Sequence, residues 1–148
     1  MSKSNDFEND LLLNIFNNIA IATIGDATGL RGSTAAGSLY LAFHTADPGE
    51  AGKQNTSEAN YPGYARAAVV RSAAGFTVAG NTVTLTTNVD FAESTGAGTN
   101  VLNYWSVGYG ASGATKMLYS GALTAPTSIT VNQGVIPRLK AATNIVED

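Results

Sequence analysis

The stretch "LYLAFHTADPGEAG", residues 39–52, decides how this chain is to be read. Leu39, Leu41 and Phe43 alternate with Tyr40, Ala42 and His44, the period of two that a strand with one buried face imposes. "ADPGE" then stops the strand. Pro48 fixes φ near −65° and Gly49 accepts a positive φ, so the pair fits the centre of a type II turn.

The same alternation of strand and turn continues toward the C terminus. "YARAAVVR" (64–71) reads as a strand with Tyr64 and Arg66 at its start. "FTVAGNTVTLTTNVDF" (76–91) reads as a hairpin in which Phe76 and Val78 pair across "AGN" with Val83 and Leu85, and Val89 and Phe91 continue. "VLNYWSVGYG" (101–110) is the most aromatic strand, and "KMLYSGAL" (116–123) follows the turn "ASGAT". In the closing "SITVNQGVIPRLKAATNIVED", Pro137 cannot donate to a ladder and marks an edge or a bulge. Short strands separated by turn signals predict an all-β chain, an antiparallel β-sandwich or jelly roll over residues 39–148.

Upstream the pattern changes to helical. Residues 6–19 place Phe7, Leu11, Ile15 and Ile19 on one stripe, widened by Leu12 and Phe16. Asn5 is the expected cap, with Glu8 in the capping-box position, and Asp6, Glu8 and Asp10 suit the positive end of the helix dipole. The helix can pack on its own domain or dock on a neighbouring subunit. The connector "GDATGLRGSTAAGS" (25–38) is rich in glycine and lacks the spacing of a phosphate-binding loop. Residues 1–38 are therefore expected to form an arm and connector, and 39–148 the β domain.

Composition narrows the function. Of 148 residues, 44% are hydrophobic and only 13% charged, against roughly 25% charged in ordinary domains. Net charge is −3 and the Lys and Arg are scattered, so no nucleic-acid footprint exists. There is no cysteine, which excludes disulfides and thiolate metal sites. The acidic start predicts no signal peptide, and "LLLNIFNNIAIA" (11–22) is too short and too rich in Asn to span a bilayer. A soluble protein with no membrane partner is expected.

Catalytic parts are hard to assemble. His44 is the only histidine, so a zinc site would need carboxylates for its remaining ligands. No serine sits in a GxSxG elbow. Asp47, Glu50, Glu58, Asp90 and Glu93 are the only acids between residues 32 and 146, and no spacing selects a glycosidase pair or a calcium loop. Tyr104, Trp105 and Tyr109 suggest a stacking patch, but alternation sends Tyr104 and Trp105 to opposite faces. His44 reads as a polar residue at a strand end, and neither catalysis nor a cofactor or metal is expected.

"LYLAFHTADPGEAG", "SEANYPGYARAAVVRS", "FTVAGNTV", "LYSGAL" and "GVIPRL", with "FENDLLLNIFNNIAIATIGDATGLRGST" at the N terminus, resemble a family of small virion structural proteins of tailed bacteriophages, often labelled tail-fibre-like. The resemblance implies no catalytic residues. It implies a structural subunit, made in the host cytoplasm and carried in the virion, whose partners are the major capsid protein or tail components and further copies of itself. The leading expectation is a capsid cement or decoration subunit, since no repetitive shaft is present. The alternative is a tail- or fibre-associated module binding a host glycan or receptor through Tyr104, Trp105 and Tyr109. Candidate partner contacts are Phe7, Leu11 and Ile15 on the arm, and Asp47, Glu50, Tyr61, Tyr64 and Arg66 in or beside the loop after the first strand.

Overall fold

The computed structural model describes residues 3–26 and 28–147. One helix, α1 (Asn5–Asn17), precedes β1 (Ser38–His44), β2 (Ala67–Val70), β3 (Phe76–Ala79), β4 (Thr82–Leu85) and β5 (Val89–Asp90). Then follow β6 (Asn100–Leu102), β7 (Tyr104–Gly108), β8 (Met117–Ala122), β9 (Ile129–Val131), β10 (Arg138–Leu139) and β11 (Asn144–Val146). The expected class, all-β with an N-terminal helix, is what forms. Two compact units divide the chain. The first comprises Met1–Ser38, Val70–Asn88 and Lys140–Asp148, and the second Leu39–Val69 and Val89–Leu139. The helix and connector thus share a unit with the β3–β4 hairpin and the C-terminal strand.

In the first unit Ser4, not Asn5, caps the helix. Its Oγ accepts from the Phe7 amide at 3.4 Å and its carbonyl from the Glu8 amide at 3.0 Å, so Glu8 lies one residue beyond the capping-box position. Asn18 ends the helix in the left-handed region (φ 61°), where its amide and that of Ile19 both reach the Leu13 carbonyl. The buried stripe is Glu8, Leu12 and Phe16, one residue out of phase with the expected one. Phe7 and Ile19 are 37% and 49% exposed, and Leu11 and Ile15 are half-buried. Phe16 packs edge-on against Phe76, with centroids 5.0 Å apart.

The hairpin has the expected register, Phe76 opposite Leu85 and Val78 opposite Val83. β11 adds to the far side of β4, giving the sheet order β11-β4-β3. Val89 and Phe91 do not continue this hairpin. The Asn88 side chain accepts from the Ala141 amide at 2.9 Å where the chain leaves the sheet, and β5 pairs instead with β10.

The helix carries no basic residue in its last turn, and a distant arginine supplies the missing donors. Arg71 donates from Nε to the Ile15 carbonyl at 2.6 Å and from Nη2 to the Asn14 carbonyl, two of the last four carbonyls of α1. Its Nη1 donates to Ser33 Oγ at 2.7 Å. Asn18 Oδ1 also accepts from the Ser33 amide at 2.7 Å. A Cβ on Gly32 would lie 2.4 Å from the Asn18 carbonyl oxygen, so glycine is what lets the connector come this close.

The second unit is built on a sheet of order β2-β1-β7-β8. β1 and β7 are antiparallel, with Leu41 opposite Val107 and Phe43 opposite Trp105. Alternation predicts one buried face on β1, yet Ala42 and His44 are as buried as Leu41 and Phe43. The strand is central in its sheet and its second face is covered too. "VLNYWSVGYG" is two strands. Asn103 separates β6, which pairs with β9, from β7, and its amide and side chain bond the carbonyls of His44 and Thr45 at 3.0 and 2.9 Å. On the other face the Phe43 and Phe91 centroids lie 4.3 Å apart. Pro137 is buried immediately before the short β10, and its carbonyl accepts from the Phe91 amide.

Candidate functional site

Within the second unit, the residues between β1 and β2 organise a buried polar cluster around Arg66, whose side chain is 1% exposed. β2 begins only at Ala67, so Tyr64 and Arg66 lie in the approach to the strand rather than in it. Nε and Nη2 donate to the two oxygens of Glu58 at 2.6 and 2.8 Å. Nη1 donates to the Gly110 carbonyl at 2.9 Å and to Thr115 Oγ1 at 2.8 Å, and Nη2 to the Gly113 carbonyl at 2.7 Å. All five N–H donors of the guanidinium are thereby used, which is what allows a permanent charge to be buried. The loop from Tyr109 to Lys116 is tied down from beneath by one side chain.

Gln54 completes the cluster. Its amide donates to the Tyr40 carbonyl at 2.8 Å, and its Oε1 accepts from Thr115 Oγ1 at 3.0 Å. Two glycines make room. A Cβ on Gly108 would come within 2.3 Å of the Gln54 amide, and one on Gly110 within 2.2 Å of the Thr115 methyl. Tyr64 donates its hydroxyl to Glu58 at 3.0 Å and accepts from the Phe43 amide at 3.2 Å. Burial, with the Glu58 charge beside it, pushes the Tyr64 phenol far above its ordinary value of 10. Burial likewise pushes Tyr61, which donates to the Ala92 carbonyl, up to about 12.

His44 has no exposed surface and is part of the same polar interior. Its Nδ1 lies 2.8 Å from the Thr56 carbonyl and its Nε2 lies 2.7 Å from Ser106 Oγ. A carbonyl only accepts, so Nδ1 carries the proton and Nε2 accepts from the serine hydroxyl. Burial holds the imidazole below its ordinary value of 6.5, which favours this neutral tautomer. The expectation of an ordinary polar residue at a strand end is thus half right: the place is correct, but the side chain is a fully bonded interior group. The Ser106–His44 pair resembles two-thirds of a hydrolase triad, yet Ser106 is itself buried and the third partner is a backbone carbonyl.

The predicted contact residues fall into two groups. Tyr61, Tyr64 and Arg66 are engaged inside the second unit as described. Asp47 and Glu50 are exposed in the loop after β1, where Asp47 Oδ1 accepts from the Gly49 amide at 2.8 Å and Gly49 takes the expected positive φ of 68°. Phe7 stands exposed on α1, with Leu11 and Ile15 half-covered. The three aromatics of the stacking patch are not equivalent: Trp105 is 7% exposed, Tyr104 half-buried, and Tyr109 56% exposed. Sequence reading missed Gln54, Ser106 and Thr115. The glycines on either side of Tyr109 were the one local sign of a close approach there.

The fold and its polar interior define a β-rich protein whose buried charged cluster holds its own loops in place. The chain belongs to the family described as podophage GP4 fiber I protein gp80, whose family model matches residues 3–144. It is therefore a fibre-associated structural protein of a phage virion. The virion class is the one the resemblance implied, and the fibre association is compatible with the alternative expectation rather than with the leading one of capsid cement. No curated protein matches the chain. Among the described residues, no helix is long and apolar enough to cross a membrane.

Proposed function

We propose that this chain is a non-catalytic fibre subunit that joins other tail proteins of the virion and further copies of itself through a charge-poor surface. The observation that carries the reading is the family match, which runs from the residue before the helix cap into β11. Composition supports it. Interface centres are depleted in charge, and a chain with 13% charged residues has much surface of that kind. The Ser106–His44 pair and the Arg66–Glu58 pair act on the protein's own loops. Phe7 on α1, flanked by Leu11 and Ile15, and the exposed carboxylates Asp47 and Glu50 are the contacts this reading favours.

The capsid-cement role has no observation of its own beyond the virion assignment, and the family's description favours the fibre over the shell. Host-glycan recognition fits a fibre, but with Trp105 buried it would rest on Tyr109 and the loop that Arg66 secures. Immunogold labelling of intact particles with antibody to the purified chain tests the assignment. Gold on the tail fibres is expected, and gold spread evenly over the shell would overturn it in favour of cement.

A further inference from the structure

Among the described strands β8 is the longest at the edge of a sheet. It has six residues, where β2 and β3 have four and β11 three. Proteins guard such edges with charge, proline, bulges or brevity. β8 has no charge or proline, and no charged residue occurs between Lys116 and Arg138. One bulge is present, where the register steps from Val107–Tyr119 to Gly108–Met117 and leaves Leu118 extra. From Tyr119 to Ala122 the edge is regular.

The ladder fixes which backbone groups that edge presents. The Leu123 amide donates to the Asn103 carbonyl at 2.8 Å. Bonded pairs alternate in an antiparallel ladder, so Trp105–Gly121 and Val107–Tyr119 are bonded, and Ser106–Ser120 and Tyr104–Ala122 are not. Ser120 and Ala122 consequently point their N–H and C=O groups away from β7, and both residues are exposed. Between them Gly121 has no side chain to obstruct a close approach.

We propose that β8 is a self-association edge, onto which β8 of a second copy adds antiparallel about a two-fold axis at Gly121. Ser120 of each copy then faces Ala122 of the other and exchanges both backbone bonds, while Gly121 meets Gly121 as the close, non-bonded pair. The edge suits itself. An uncharged strand meets no like charge when paired with its own copy, and the axis keeps the Leu118 bulge away from the bonded pairs. The two sheets become one across the axis. This deepens the self-association in the function proposed above and names its surface.

The test uses purified full-length chain. Light scattering should give a dimer for the native sequence. Gly121→Cys has room, because its Cβ would meet only Trp105 Nε1 at 3.8 Å, and a chain without cysteine gives the new thiol no other partner. Mild oxidation should link G121C into a covalent dimer much faster than Ser128→Cys in the exposed loop after β8. Ser120→Pro removes an outward N–H without touching the bonds to β7, and should yield a monomer with unchanged circular dichroism. A native monomer, a native trimer, a dimer that survives S120P, or G121C linking no faster than S128C would each overturn the proposal. If S120P fails to fold, the two linking rates decide. Failure here leaves the fibre assignment intact, because that is read from labelled particles.

Discussion

Glu58 receives both arms of the Arg66 guanidinium, at 2.6 Å from Nε and 2.8 Å from Nη2, inside the second unit. The pair joins the segment before β2 to the loop between β7 and β8, which Arg66 holds through the carbonyls of Gly110 and Gly113. Removing one partner leaves a buried charge and several orphaned acceptors. Arg66→Met should therefore cost about 3–5 kcal/mol in chemical denaturation. The double variant with Glu58→Leu should recover part of that loss. Arg66→Lys should remain well below the native stability, because an ammonium has three donors where five are in use.

The neutral His44 makes stability depend on pH. Burial holds its folded-state value below the ordinary 6.5, so the unfolded chain binds this proton more readily. Its contribution is complete above 6.5 and is lost progressively as the pH falls below that value. Melting temperature measured from neutral to mildly acidic pH should fall more steeply for the native chain than for His44→Gln. Parallel curves would show that His44 does not titrate on unfolding.

Ser106 gives His44 its second partner. Ser106→Ala leaves the buried Nε2 without its serine donor, and should cost about 1–3 kcal/mol. The exposed Ser120, on the neighbouring strand, should tolerate Ala within about 0.5 kcal/mol. Urea titration of the two variants side by side checks the contrast.

Glycines along one sheet should differ sharply. Gly108→Ala drives a methyl into the Gln54 amide and the Lys116 carbonyl, 2.3 and 2.5 Å away, and should cost about 1–3 kcal/mol as overpacking does. Gly121→Ala meets only Trp105 Nε1 at 3.8 Å and should be nearly neutral. Thermal melts of the two single variants measure the difference.

Arg71 replaces the basic last turn that α1 lacks. Arg71→Ala strips donors from the Asn14 and Ile15 carbonyls and from Ser33, and should cost about 1.5–3 kcal/mol. Far-ultraviolet circular dichroism should show helix lost at a lower denaturant concentration than in the native chain.

The sequence made the local pairings legible and hid the junctions. The β3–β4 register was readable because alternation runs into an obvious Gly80–Asn81 turn. The breaks at Asn88 and Asn103 were not, since alternation continues across both and only the side-chain bonds of these asparagines show where the chain changes partners. The helix phase slipped by one because the doublets Leu11–Leu12 and Ile15–Phe16 support either stripe, and packing on Phe76 chose the second. Arg66 read as a surface residue because its partners at Gly110, Gly113 and Thr115 lie more than forty positions away. No local pattern encodes such a meeting.

The most direct measurement of the central claim is electron cryo-microscopy of intact particles, with shell and tail reconstructed separately. Density fitting this fold in the tail fibres, with no copies on the shell, is the predicted result. Density repeated over the shell lattice and absent from the fibres would contradict it.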